Sequence, residues 1–323
     1  MSVPRSAIAL LACVPMIAIH GQQGQVSGPV AGYVFDGAAL RPINGVPGGA
    51  TLGESLDLGI VASAAAVSPQ LDSAIVTAGD GSLHLFRLGG RSAAEVAWNG
   101  VPRGPTRVVY SPSGTAAAIY ASGRVQVVSG LPDAPVPAFA AQLGPSPARP
   151  VSEFTTAAPE AMAVSDDATW LLVAGDGRLR LLGASGSSTG LVEGSRTLSV
   201  AFAPDGHVAA VLGGAGPWLQ VYQDISEAPT QRIAAPGFAA PSGLAFSADG
   251  KFVLAATRAG KSVMIFDLAV GVAATLDCNC APTGVSRLGN LFRLTDAGSG
   301  PVWFVDTSAS PARLVFVPAR ANP

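Results

Sequence analysis

Short apolar runs, each closing on a turn, recur along this chain. Ala65-Ala66-Val67-Ser68-Pro69 is followed by Val108-Val109-Tyr110-Ser111-Pro112, then by Met162-Ala163-Val164-Ser165-Asp166. Two more copies are Val200-Ala201-Phe202-Ala203-Pro204 and Leu244-Ala245-Phe246-Ser247-Ala248. Anchored on Ser68, Ser111, Ser165, Ala203 and Ser247, the units recur at intervals of 43, 54, 38 and 44 residues. A degenerate sixth copy opens on Pro282-Thr283-Gly284, which repeats Pro241-Ser242-Gly243. Within each unit the first run ends at a turn such as Pro204-Asp205-Gly206, Ala248-Asp249-Gly250 or Pro112-Ser113-Gly114. Asp and Ser bond the local backbone there, and Gly accepts a positive φ. The spacing predicts second strands over Ser73–Ala78, Ala116–Tyr120, Trp170–Ala174, His207–Leu212 and Phe252–Ala256. Third strands alternate apolar and polar residues, as in Leu83-His84-Leu85-Phe86-Arg87-Leu88 and Leu219-Gln220-Val221-Tyr222, the period of a half-buried strand. Weaker fourth segments follow, such as Ala94–Val101 and Val272–Cys278.

Four short strands in a period of about 40 residues predict an all-β chain, a β-propeller of four-stranded antiparallel blades. The small residues Ala65, Ala163, Ala201 and Ala245 suit the crowded first strands near the axis. About 43 residues per blade favours seven blades, with six the alternative. Ala31–Asp36 and Leu40–Ile43 are strand-like, and the first resembles the third strands Met264–Asp267 and Trp303–Asp306. An N-terminal strand near residues 30–60 that completes the last blade would close the ring and remove a sheet edge. Residues 131–160 carry seven prolines and read as an outer strand followed by a loop.

Composition narrows the class. Charged residues are 12% of the chain, about half the usual share, and hydrophobic residues are 49%, which excludes a disordered chain and a coiled coil. The formal charge of −2 lacks the basic excess of a nucleic-acid binder. Gly at 39 positions and Pro at 26 argue against long helices.

The units resemble the WD40-like repeats of TolB-type propellers, whose core reads F-S-P-D-G-K. The nearest copies here are Phe202-Ala203-Pro204-Asp205-Gly206-His207 and Phe246-Ser247-Ala248-Asp249-Gly250-Lys251. They are also similar to the YVTN-type repeats of surface-layer and lactonase-like propellers. The resemblance spans roughly residues 60–320 and implies architecture more than activity. The Gly-His and Trp-Asp pairs of true WD40 repeats do not recur.

The N-terminus reads as an export signal. Arg5 precedes the apolar run Ala7–Ile19, and the chain turns polar at His20-Gly21-Gln22. The run is short for a bilayer span, which takes about 20 residues. Residues 1–21 are therefore expected to be a signal peptide and 22–323 a single propeller domain, periplasmic or extracellular, with no transmembrane helix. Leu10-Leu11-Ala12-Cys13 resembles a lipobox, but the apolar run continues past Cys13, which favours the soluble form.

Chemistry is sparse. The three histidines, His20, His84 and His207, are scattered and predict no metal site. Cys278 and Cys280 are expected to form a local disulfide in an exported chain, with free thiols or a redox or metal role as alternatives. An extended strand would set their Cα atoms near 6.5–7 Å, so the bond calls for a tighter backbone. Gly213-Gly214-Ala215-Gly216 lacks the Lys-Ser/Thr ending of a phosphate loop. No catalytic set, cofactor site or metal site is predicted. The chain reads as an exported non-catalytic propeller that binds a protein or envelope partner. The alternative is a lactonase-like hydrolase, for which Arg258, Arg287, Arg293 and Asp296 are the residues that could reach the axial face. A quinone-dependent dehydrogenase would call for larger blades. An acid–His–Arg cluster at the axis would favour hydrolysis; an apolar or hydroxylated mouth would favour binding.

Overall fold

A computed structural model describes residues 28–144, 158–204, 206–213, 218–225, 227, 229–236, 240–298 and 300–319. The expected signal peptide, with Cys13 and His20, lies outside the described residues, as do 145–157 of the proline-rich stretch and most of the glycine string at 213–216. Among the described residues there is no helix.

The strands form seven sheets in chain order. Blade 1 takes β1 (Val30–Phe35), β2 (Leu40–Asn44) and β3 (Thr51–Leu52). Blade 2 takes β4 (Ala62–Val67), β5 (Ser73–Ala78), β6 (Leu83–Gly89) and β7 (Ser92–Val96). Blade 3 takes β8 (Arg107–Tyr110), β9 (Ala116–Ala121), β10 (Arg124–Ser129) and β11 (Val136–Gln142). Blade 4 takes β12 (Ala161–Val164), β13 (Trp170–Gly175), β14 (Arg178–Gly183) and β15 (Ser188–Glu193). Blade 5 takes β16 (Thr197–Phe202), β17 (Ala209–Gly213), β18 (Trp218–Gln223) and β19 (Thr230–Pro236). Blade 6 takes β20 (Pro241–Phe246), β21 (Phe252–Thr257), β22 (Ser262–Asp267) and β23 (Val272–Asp277). Blade 7 takes β24 (Ser286–Leu288), β25 (Leu291–Arg293), β26 (Val302–Asp306) and β27 (Arg313–Val317). The first strand of each blade touches the first strand of the next, and β24 touches β1, so the ring is closed. The protein is a seven-bladed β-propeller.

Closure differs from strand completion. Blade 7 is built wholly from its own four consecutive strands, and the N-terminal strands form a three-stranded blade beside it. β1 is thus an inner strand and not the third-strand copy that its resemblance to Met264–Asp267 and Trp303–Asp306 suggested. The reason is burial on both sides. Tyr33 is 2% exposed and packs toward blade 2, whereas Val34 is 0% exposed and packs toward blade 7. A strand between two neighbouring blades must carry apolar residues on both faces.

The core consists of seven apolar clusters, one at each blade-to-blade seam. Ala118, Val125 and Val127 of blade 3 meet Met162, Leu171 and Val173 of blade 4. At the closing seam Val34, Ile43 and Ala50 of blade 1 meet Leu288, Val302, Phe304 and Val315 of blade 7. Each fully buried large apolar side chain of this kind contributes about 1.5–3 kcal/mol. Near the axis the inner strands approach closely. A Cβ on Gly243 would stand 2.6 Å from the Val285 nitrogen, so the seam between β20 and the start of blade 7 admits only glycine there.

The recurrent Ser at the end of the first strand acts structurally. The Oγ atoms of Ser111, Ser165 and Ser247 accept the N–H groups of Ala116, Trp170 and Phe252 at 3.1, 3.0 and 3.0 Å. The hydroxyls of Ser165 and Ser247 donate to the Oδ1 atoms of Asp167 and Asp249 at 2.5 and 2.7 Å. For Asp249 the Ser247 bond is the main cause that holds the carboxyl below its usual range. These links tie the first turn to the second strand and explain why Ser-x-Asp recurs. Outer strands are less regular: β11 includes Pro137 at a register shift, which an edge strand tolerates.

Ser165 is fully buried. Ser165→Ala strands the Trp170 N–H and frees Asp167, and the expected loss is about 1–3 kcal/mol of stability in urea unfolding. An unchanged unfolding midpoint would show that the turn is held by its backbone alone.

Candidate functional site

The seven inner strands present their free edges to the ring axis, where they enclose a cavity of ≈ 500 Å³. Ala65, Ala163, Ala201 and Ala245 line it, in keeping with the small residues of the repeats. Against this apolar wall stand Arg107, Tyr110, Arg287 and Arg293, with the hydroxyl residues Ser199, Ser242 and Ser286. The inner strands all run in one sense, so the cavity has a strand-start end and a turn end.

Arg287 crosses the turn end. The repeat of Pro241-Ser242-Gly243 in Pro282-Thr283-Gly284 sets Arg287 where blade 6 has Phe246. Arg287 is 8% exposed. Its Nη1 donates to the Gly289 carbonyl at 3.3 Å, and its Nη2 donates to the Pro112 carbonyl. Pro112 lies in the turn after β8, so the guanidinium links blade 7 to blade 3, past blades 1 and 2. The Gly289 N–H donates to the Pro69 carbonyl of blade 2 at 2.8 Å, a second bond over the same end. Burial lowers the Arg287 pKa, and the Asp166 carboxylate opposes that shift. Asp166 is itself held by the Ser113 N–H and hydroxyl, both at 2.6 Å.

The strand-start end carries the other two cations. Arg107 is the first residue of β8; the residue as a whole is exposed, but its guanidinium is partly enclosed at the channel mouth, and that desolvation lowers its pKa. Arg293 pairs with Ser286, the first residue of β24. Its Nη2 donates to Ser286 Oγ at 3.4 Å and lies 3.7 Å from Asp296 Oδ1. Burial lowers its pKa and Asp296 raises it. Tyr110 sits with its hydroxyl 3.5 Å from Ser73 Oγ, and burial pushes its phenol well above the usual range.

Of the four residues expected to reach the axial face, Arg287 and Arg293 line the cavity. Asp296 borders Arg293, and its side chain is 72% exposed. Arg258 lies outside the lining; its Nε donates to the Pro282 carbonyl at 3.4 Å and ties down the segment between blades 6 and 7. His84 stands off the axis, on β6, with Nδ1 2.6 Å from Glu95 Oε1 and Nε2 2.9 Å from Ser82 Oγ. His207 lies before β17 and is likewise outside the lining. Among the described residues the lining contains neither a histidine nor a carboxylate, and no three His, Cys, Asp or Glu gather as metal ligands.

Cys278 and Cys280 are joined as a disulfide with Cα atoms 5.0 Å apart, beyond the end of β23 where the backbone bends. Cys278 is buried in the seam between blades 6 and 7, and Cys280 packs against it. The bond is remote from the axial lining. Sequence reasoning missed Arg107 and Tyr110. The repeat alignment carried a signal for both: they bracket the inner strand of blade 3, where other blades have small or apolar residues.

No protein-family model matches the sequence, and no curated protein matches it. In structure the chain is similar to a chain of Kuenenia stuttgartiensis hydrazine synthase, with a TM-score of 0.54 over 93% of this chain and 99% of that one. The two are 15% identical, so the likeness extends to the fold alone.

Arg287→Leu keeps bulk in the slot that Phe246 fills elsewhere and removes both carbonyl bonds. Charge-assisted hydrogen bonds contribute about 1.5–3 kcal/mol, and a loss of that size is expected in chemical denaturation. A gain in stability would show that burying the guanidinium costs more than its bonds return.

Proposed function

We propose that this chain is an exported, non-catalytic binding module of the TolB-like repeat type, which engages a protein or envelope partner through a face of the ring. The observation that carries the reading is the make-up of the axial cavity. It gathers arginines, hydroxyls and small apolar residues on a rigid scaffold, a set that binds and orients. The acid and histidine that hydrolysis of a lactone calls for stand elsewhere: Asp296 at the rim, His84 on β6 and His207 before β17. Propellers host many functions, so the site and not the fold supports this reading. Export is supported by the charged residue and apolar run at the N-terminus.

The test is affinity capture of the tagged protein from its native envelope fraction, beside an assay on a panel of lactones. The reading expects a stoichiometric co-purifying partner and no lactone turnover. Turnover that disappears in Arg293→Ala would contradict it and favour the hydrolase.

A further inference from the structure

The two cations at the strand-start end of the axis have less to satisfy them than Arg287 has at the turn end. Arg287 is spent on two carbonyls. Arg293 holds a 3.4 Å bond to a hydroxyl and a 3.7 Å pairing with an exposed carboxylate, both at the outer limit for such contacts. The Arg107 side chain has no ion-pair or hydrogen-bond partner among the described residues, and its backbone alone is tied, to Tyr120 in the blade 3 ladder. It enters from blade 3 and Arg293 from blade 7, nearly opposite one another in a seven-membered ring. Both line the same ≈ 500 Å³ cavity, a size within the range of about 300–1,000 Å³ usual for small-ligand sites. The Ser286 hydroxyl, which accepts from Arg293, keeps its own hydrogen to donate at the same end.

We propose that the strand-start end of the axial cavity binds a small organic anion with two or more carboxylates, gripped from opposite sides by Arg107 and Arg293. Guanidinium matches carboxylate in a planar fork, and a second carboxylate uses the second arginine. The small wall residues leave room for the carbon skeleton between them. Arg287 spans the turn end with both its bonds already made, so the ligand is held at the strand-start end, where Arg107 and Arg293 stand. This site stands whether or not a partner protein docks on a face of the ring.

Isothermal titration of the purified protein with citrate, succinate and inorganic phosphate, at low salt and at 0.5 M NaCl, tests the proposal. Citrate is expected to bind at one site per chain, and more weakly at high salt. Arg107→Gln and Arg293→Gln should each weaken it about tenfold, the loss of one charge-assisted bond. Arg107 is exposed, so Arg107→Gln should keep the wild-type circular dichroism and melting temperature, which separates lost binding from lost fold. Arg107→Lys should recover part of the affinity. Phosphate binding as tightly as citrate would overturn the polycarboxylate assignment. Absence of citrate binding, or binding undiminished in both Gln variants, would overturn the site itself. Neither of those results bears on capture of a partner protein, which tests the broader reading separately.

Discussion

The fold depends on the apolar seam at which blade 1 meets blade 7. Six seams join blades that are consecutive in sequence, so the chain itself brings their partners together. The seventh must join residues near 34 to residues near 304 with no covalent help. Many propellers solve this with a strand contributed from the other terminus; here side-chain packing does the work. Val34, Ile43 and Ala50 meet Leu288, Val302 and Phe304, and the side chain of Phe304 is fully enclosed. Such closure gains burial but also fixes a loop nearly as long as the described chain, and that entropy grows only slowly with length. A modest cluster of large apolar residues is therefore enough.

Closure also determines what the axis can do. Once blade 7 is seated, Arg287 reaches Pro112 and Gly289 reaches Pro69, so two bonds bind it to blades 3 and 2 across the turn end. The same seating places Arg293 over the cavity opposite Arg107. The cation pair at the axis is thus a product of ring geometry: no short segment of the chain contains it. Its neighbours are the small residues that the inner strands need for crowding, and these leave the space that a ligand would occupy.

Architecture was legible in the sequence because blades are local. Each hairpin is specified within about 40 residues by an apolar run, a Ser-x-Asp or Asp-Gly turn and a second run. The predicted strand over Ser73–Ala78 coincides with β5, and Phe252–Ala256 falls within β21. Blade 1 was harder. Its inner strand resembles the third strands Met264–Asp267 and Trp303–Asp306 in sequence, and only its position between two neighbours reveals that both faces are buried. The axial site was legible in part. Arg287 stands out once the Pro-x-Gly repeats are aligned, because a cation replaces the phenylalanine of blade 6. Arg107 also stands out in the aligned repeats, as a cation where other blades have small residues, but the wall it faces lies far off in sequence. The Cys278–Cys280 bond was legible from its spacing, because both partners lie in one turn.

Hydrogen exchange of the wild type and Phe304→Ala, read blade by blade, tests the closing seam most directly. The substitution empties a fully buried site, which costs about 3–5 kcal/mol in cores of this kind. If packing alone closes the ring, exchange rises together in blades 1 and 7 and in the inner strands β1 and β24, while blades 4 and 5 keep their protection. Faster exchange confined to blade 7, with blade 1 as protected as before, would contradict the account.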